Sequence, residues 1–300
     1  MTSAPPYAVF SCDIDTVDRH LDGYGFEDLP ACDLVYRTAV PRVLELLDEL
    51  HVPGVLFVIG RDAAAQRPLL RAAVAAGHEI ASHSFTHPQP FRTLPDAALA
   101  AEIETSRSAL SESCGVEVAG FRAPAWDVDD RVLASVRRAG YRYDASVFPT
   151  PVLIASRLAA YRRSTGKQSL FSMDLIGHAF ASTVPYVLRG EAAGLVEFPI
   201  AVTRWLRLPV YHTFAYFTSR RLFTRMLDRA LRSPGPVCYE FHAADLLDLA
   251  GDRVDPRLAR HPGMGLPVAE KRTLLRALLE RIRSNRRVVT YRAALEAGWA

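Results

Sequence analysis

Short apolar runs alternate with stretches of helical period along this chain. Residues 7–11, 55–59, 79–82, 117–121, 141–144, 195–200, 237–241 and 288–291 read as β-strands. Between them, Val40, Val43, Leu44, Leu47 and Leu50 recur at the spacing of one helix face. Residues 63–76 form a second helical stretch that ends at Gly77, a suitable C-terminal cap. Residues 95–113 open with a proline, as first helical turns often do. Residues 129–139, 219–231 and 268–284 complete the helical set. A repeated strand-then-helix order implies a parallel sheet, and about eight such units predict an α/β fold of the distorted (β/α) barrel type. Residues 148–194 break the rhythm and are too long for an ordinary connection. No linker, internal repeat or low-complexity tract divides the chain, so residues 1–300 read as one domain with an insertion at about 148–194.

In such barrels the chemistry gathers at the C-terminal ends of the strands. Strand one runs into Ser11-Cys12-Asp13-Ile14-Asp15, and strand three into His83-Ser84-Phe85-Thr86-His87. Side chains two apart on a strand share a face, so Asp13 and Asp15 can point the same way. Imidazoles at i and i+4 lie on one side of a helical turn or of a tight loop that mimics it. Two nitrogens and one carboxylate oxygen match the ligand count of a catalytic zinc site with an open position, and a spare carboxylate beside it can serve as general base. Either motif alone is more often structural. The remaining candidate residues land at the same end: Arg122, Pro124 and Trp126 after strand four, Asp144 at the end of strand five, and Glu240 and His242 on strand seven.

Composition narrows the reading. Apolar residues make up 49% of the chain, enough for a sizeable core, and the net charge of +3 is mild and spread out, so nucleic acid is not an expected partner. Only Lys167 and Lys271 among the 36 basic residues are lysine. Arginine dominance favours contacts to phosphate or carboxylate. Cys12, Cys32, Cys114 and Cys238 form no CxxC pair and read as reduced thiols, with Cys12 turned away from Asp13 by strand alternation. The first six residues have no basic and apolar leader pattern, and no run reaches the ~18 apolar residues of a membrane span. A cytoplasmic location is the expectation.

The order acidic pair, H-[ST]-x-x-H, R-x-P, mid-chain Asp and late His resembles the metal-dependent polysaccharide deacetylase (NodB-like) family, strongly over residues 7–146 and again over 195–247. The resemblance implies a distorted barrel of seven or eight strands and removal of acyl groups from amide nitrogen, usually on amino sugars. By position it implies Asp13 as general base, and Asp15, His83 and His87 as metal ligands. Arg122 would pair with Asp13 and orient it, His242 would be the general acid, and Asp144 would tune that histidine. The acidic pair is D-x-D rather than the adjacent D-D-G of many members. The spaced form resembles a subgroup that includes lipid-linked sugar deformylases and imidase-like members.

Amide hydrolysis explains why such groups would be gathered. Water is a poor nucleophile and an amide anion a poor leaving group. A metal addresses the first and polarises the carbonyl, a carboxylate accepts the proton, and a protonated histidine meets the departing nitrogen. An N2O donor set suits zinc, with cobalt, nickel, manganese or iron as alternatives. Trp126 reads either as a wall of the sugar pocket or as core, Asp144 either as a tuning carboxylate or as a turn cap with Ser146, and Glu240 as another partner for His242. Residues 195–217 are rich in aromatics interleaved with arginines. They read either as a strand with a buried loop or as a docking surface for a lipid-linked glycan at the inner membrane face. The loop 245–267, with His261, is a candidate for substrate contacts. The expected function is hydrolytic removal of an acetyl or formyl group from an amino sugar or glycoconjugate. The alternatives are a cyclic imide or ureide amidohydrolase and an inactive carbohydrate-binding descendant.

Overall fold

The computed structural model describes residues 6–26, 29–154 and 177–299. Its strands are β1 (Tyr7–Ile14), β2 (Val55–Val58), β3 (Glu79–Ser82), β4 (Gly120–Phe121), β5 (Tyr143–Asp144), β6 (Tyr186–Val187), β7 (Val196–Glu197), β8 (Val237–His242) and β9 (Arg287–Val288). They form one sheet in the order β6-β7-β5-β4-β3-β2-β1-β8, with β9 pairing the start of β1. Every pairing is parallel except β6 with β7. The result is a curled, open α/β half-barrel, as the alternating pattern implies. The expected strands all appear. The unexpected one, β6, belongs to the inserted segment, whose residues 155–176 lie outside the described residues.

Helices α1 (Val17–Gly23), α2 (Val40–Glu49), α3 (Arg67–Ala75), α4 (Asp96–Cys114), α5 (Asp130–Arg138), α6 (Arg220–Leu231), α7 (Val268–Arg283) and α8 (Tyr291–Glu296) surround the sheet. Side-chain alternation splits β1 between two cores. Ala8, Phe10, Cys12 and Ile14 join the large apolar layer shared with the helices. Tyr7 and Val9 face the concave interior with Phe57, Tyr143, Phe198 and Tyr291. Ser11 and Asp13 continue that inner face toward the strand tip. All four cysteines are free thiols. Burial raises the Cys12 thiol well above its ordinary value, which removes it as a nucleophile. None of the described helices is long and apolar enough to cross a membrane.

Two local departures from the expected elements matter for the site. Residue 291 was expected to end a strand. Instead Thr290 caps α8 by accepting from the Ala293 amide, and Tyr291 turns into the interior from the first turn of that helix. Gly120 in β4 pairs with Tyr143 in β5, and a Cβ at Gly120 would fall 1.8 Å from the Tyr143 ring. The tyrosine ring occupies the place of a side chain there. Gly120→Ala is therefore expected to destabilise the fold by about 1–3 kcal/mol through overpacking. A urea midpoint equal to the parent's would show that Tyr143 moves aside freely.

Candidate metal centre and active site

Parallel register carries separate segments of sequence to one point. Asp13 sits opposite Phe57 of β2 on one side and His242 of β8 on the other, and Ser11 sits opposite Glu240. Strand β3 then delivers His83 and His87. The intervening loop is not a helical turn. Ser84 and His87 have φ of 62° and 60°, a left-handed conformation that β-carbon-bearing residues rarely adopt. The strain is held by contacts on every side. The Gly60 amide and Ser106 hydroxyl donate to the Ser84 carbonyl, at 2.9 Å each, and the His87 amide donates to Ser84 Oγ at 3.0 Å. Glu102 of α4 accepts from the amides of Phe85 and Thr86 at 2.9 and 2.8 Å and from the Thr86 hydroxyl at 2.6 Å.

Asp15, His83 and His87 each offer a ligand atom, all within 4.8 Å of one another, and all three residues are buried. The His83 Nδ1–H donates to the Arg122 carbonyl at 2.8 Å. A carbonyl cannot donate, so in the neutral ring the lone pair lies on Nε2, 3.2 Å from Asp15 Oδ1. His87 Nε2 lies 3.4 Å from the same oxygen. Asp15 Oδ1 and both His87 ring nitrogens have no hydrogen-bond partner. Burial pushes the His87 imidazole down to about 3, so it is neutral at ordinary pH. Burial also lowers His83, but the carboxylates of Asp13 and Asp15 outweigh it and raise the ring above its usual value. Burial pushes Asp15 up, and the imidazoles of His87 and His83 outweigh it and hold the carboxyl well below the usual range. Three inward lone pairs around one point call for positive charge. A proton can serve one such pair, whereas a divalent cation serves all three, so the donor set fits a divalent metal ion.

Beside this centre, Asp13 Oδ1 accepts from Arg122 Nη1 at 2.5 Å, and Asp13 Oδ2 lies 3.8 Å from His83 Nε2. Arg122 is fully buried. Its Nε donates to the Ala145 carbonyl at 2.8 Å and its Nη2 to Ser11 Oγ at 3.1 Å, and it lies 4.0 Å from the Phe57 ring centroid. His242 Nε2 stands 3.8 Å from Asp15 Oδ2 and 3.8 Å from Glu240 Oε1. Burial lowers His242, but Glu240 and then Asp15 outweigh it and raise the ring. Glu240, wholly buried, is pushed up to about 7 by burial and by Asp13.

The cleft above these groups measures about 360 Å³ and is lined by Asp13, Asp15, His83, His242, Trp126 and Tyr211, among others. Trp126 has a φ of 54° and donates from Nε1 to Glu240 Oε2 at 3.0 Å, while its ring packs edge-on against Phe148 and Tyr211. Glu240 and Pro124, expected as substrate contacts, do not line the cleft. Pro124 is buried at the start of the short turn that presents Trp126, and Glu240 lies under Trp126 and His242.

Asp144 is not brought to His242. Tyr143 faces the interior, so strand alternation turns Asp144 to the other side, opposite Glu197 in the β5–β7 register. There it accepts from the Ser146 amide and hydroxyl at 2.7 and 2.9 Å. Burial raises Asp144, while burial and Asp144 together push Glu197 well up. Glu240 occupies the place by His242 that Asp144 was expected to fill.

The aromatic and arginine-rich segment also divides. Trp205 is 83% exposed and shares a hollow with Arg204, Arg229 and Arg232. That hollow adjoins the C-terminal end of α6 and the loop before β8, whereas Asp13 and His242 lie at the C-terminal ends of β1 and β8. Tyr211 and Phe217, in contrast, line the cleft.

Sequence reasoning missed Glu102, His20 and Tyr24. Glu102 carries no signal of its own among the polar residues of α4, but it holds the loop that carries both imidazoles. Glu102→Ala is expected to weaken metal binding by about 10–100-fold, measured by competition with a chromophoric chelator. Unchanged affinity would show that the loop holds its shape without the carboxylate. His20 and Tyr24 enter the cleft from α1 and the residue after it. Tyr24 OH lies 3.1 Å from His261 Nδ1. Burial takes the His20 ring down to about 4 and His261 well below its ordinary value, so both are neutral.

A polysaccharide deacetylase family model matches residues 23–143, a span that contains His83, His87 and Arg122. A chitooligosaccharide deacetylase of Bradyrhizobium sp. (strain ANU 289) is 40% identical over 103 residues, 33% of this chain and 46% of that protein. The peptidoglycan deacetylase of Helicobacter pylori is 28% identical over 149 residues, 46% of this chain and 48% of that protein. The matches thus span about half the length of these curated relatives. A Mycobacterium smegmatis protein assigned as a polysaccharide deacetylase shares the fold, with a TM-score of 0.59 at 21% identity, over 98% of this chain and 93% of that one. Residues 23–143, which carry His83 and His87 of the three-donor cluster with Asp15 just before them, are thus similar to the polysaccharide deacetylase family.

Proposed function

We propose that this protein is a metal-dependent amide hydrolase that removes an acetyl or formyl group from the nitrogen of an amino sugar. The observation that carries the reading is the three-donor centre of Asp15, His83 and His87, flanked by the Arg122-bound Asp13 and by His242. A divalent ion held by those three donors would supply a Lewis acid for the amide carbonyl and a more acidic water. Asp13 takes the proton of the attacking water, because Arg122 fixes one of its oxygens and leaves the other facing the centre. His242 delivers a proton to the departing nitrogen, and Glu240 beneath it favours the imidazolium. Trp126 and Tyr211 offer apolar ring surface against which a pyranose can pack.

Incubation of the metal-loaded protein with N-acetylated and N-formylated amino sugars tests this. Release of acetate or formate with one free amine per turnover is expected, and which acid appears fixes the acyl group. Ring-opening of a cyclic imide without acyl release, or sugar binding without turnover, would overturn the reading.

We further propose that the sugar is carried on a lipid phosphate. The support is a lip beside the cleft where Phe217, Leu222 and Leu266 are exposed next to exposed Arg220, Arg221 and Arg225. Trp205 has no part in it. Co-sedimentation with vesicles containing anionic lipid is expected, and its absence in low salt would refute this part.

A further inference from the structure

We propose that His20 and His261 form a hydroxyl-recognition subsite that grips the sugar on the side of the departing nitrogen. The inference rests on the amide-hydrolase reading and adds the residues that select a sugar over other amides. Both imidazoles line the cleft, with ring centroids 4.8 Å apart. His261 is 8% exposed, and the Nε2 atoms of both rings are buried without a hydrogen-bond partner. Tyr24 occupies the opposite nitrogen of His261 at 3.1 Å and fixes that ring's orientation.

Position relative to His242 says which part of the substrate they meet. The His20 ring is 5.7 Å and the His261 ring 6.4 Å from the His242 ring. The group that protonates the amine faces the sugar rather than the acyl group, so both rings stand on the sugar side of the scissile bond. A neutral imidazole donates at one nitrogen and accepts at the other, and a hydroxyl does both. Two unpartnered Nε2 atoms on rings 4.8 Å apart therefore suit neighbouring hydroxyls. Rings without charge offer no counter-ion to a phosphate or carboxylate.

The test compares the parent with His20→Phe and His261→Phe, which keep a planar ring and lose the nitrogens. Substrates are tri-N-acetylchitotriose and the hydroxyl-free amide N-cyclohexylacetamide. Each substitution is expected to lower the preference for the sugar roughly tenfold, the value of one hydrogen bond, chiefly through KM. His261→Gln, which retains a donor and an acceptor, should recover part of it. An unchanged preference, or an equal loss on both amides, overturns the proposal. Metal analysis is read alongside: one ion per chain in all variants is expected, and a second ion lost with either substitution would make the pair a cation site instead. Calorimetry with the same trisaccharide keeps the two readings apart. Sugar binding that weakens in both variants supports the subsite even if no acyl group is released, and binding that is unaltered or absent in the parent refutes it.

Discussion

Asp13→Asn is expected to lose turnover by about 10²–10⁴-fold while binding its metal as tightly as the parent. The amide keeps the size of the carboxylate and an oxygen for Arg122, but it cannot take a proton from water. Asp13 is outside the Asp15, His83 and His87 set, so the ion has no reason to leave. Single-turnover rates and metal analysis on the same preparation separate the two effects. A rate near the parent's would discard Asp13 as the base, and loss of metal would make it a ligand.

Arg122→Met should be the most damaging single change to stability. The guanidinium is wholly enclosed, and its partners are enclosed with it: Asp13, Ser11 and the Ala145 carbonyl. Methionine fills the volume over Phe57 but leaves a buried carboxylate without its counter-charge. Removing one member of such a pair typically costs about 3–5 kcal/mol. Equilibrium urea unfolding measures it. A midpoint within error of the parent's would show that Asp13 is satisfied without the arginine.

Both residues could be read in the sequence because barrels put their chemistry at strand tips, and the tips announce themselves as polar residues following apolar runs. The same rule had blind spots that follow from physics. Strand β1 runs on to Ile14, because in a parallel sheet the polar Asp13 is still held by ladder bonds on both sides. Polarity alone marks that stretch as loop. Strands β4, β5 and β7 are only two residues long, shorter than the apolar runs 117–121, 141–144 and 195–200 that mark their places. Asp144 was assigned by motif order. Alternation from the inward Tyr143 points it to Glu197, a fact that depends on which neighbour faces the interior. Helix α1 contains just two apolar anchors, Val17 and Leu21, so neither the helix nor His20 on it stands out. Glu102 acts on backbone amides 16 and 17 residues before it, and only the packing of α4 brings it to the loop that carries His83 and His87.

The central claim is that one divalent ion is held jointly by Asp15, His83 and His87. Anomalous diffraction at the zinc edge from a crystal of the metal-loaded protein, with His83→Ala treated identically, tests it most directly. The account predicts a single strong peak within about 2.0–2.2 Å of Asp15 Oδ1 and the two Nε2 atoms, and no peak in the variant. A peak elsewhere, or one that survives the substitution, would contradict it.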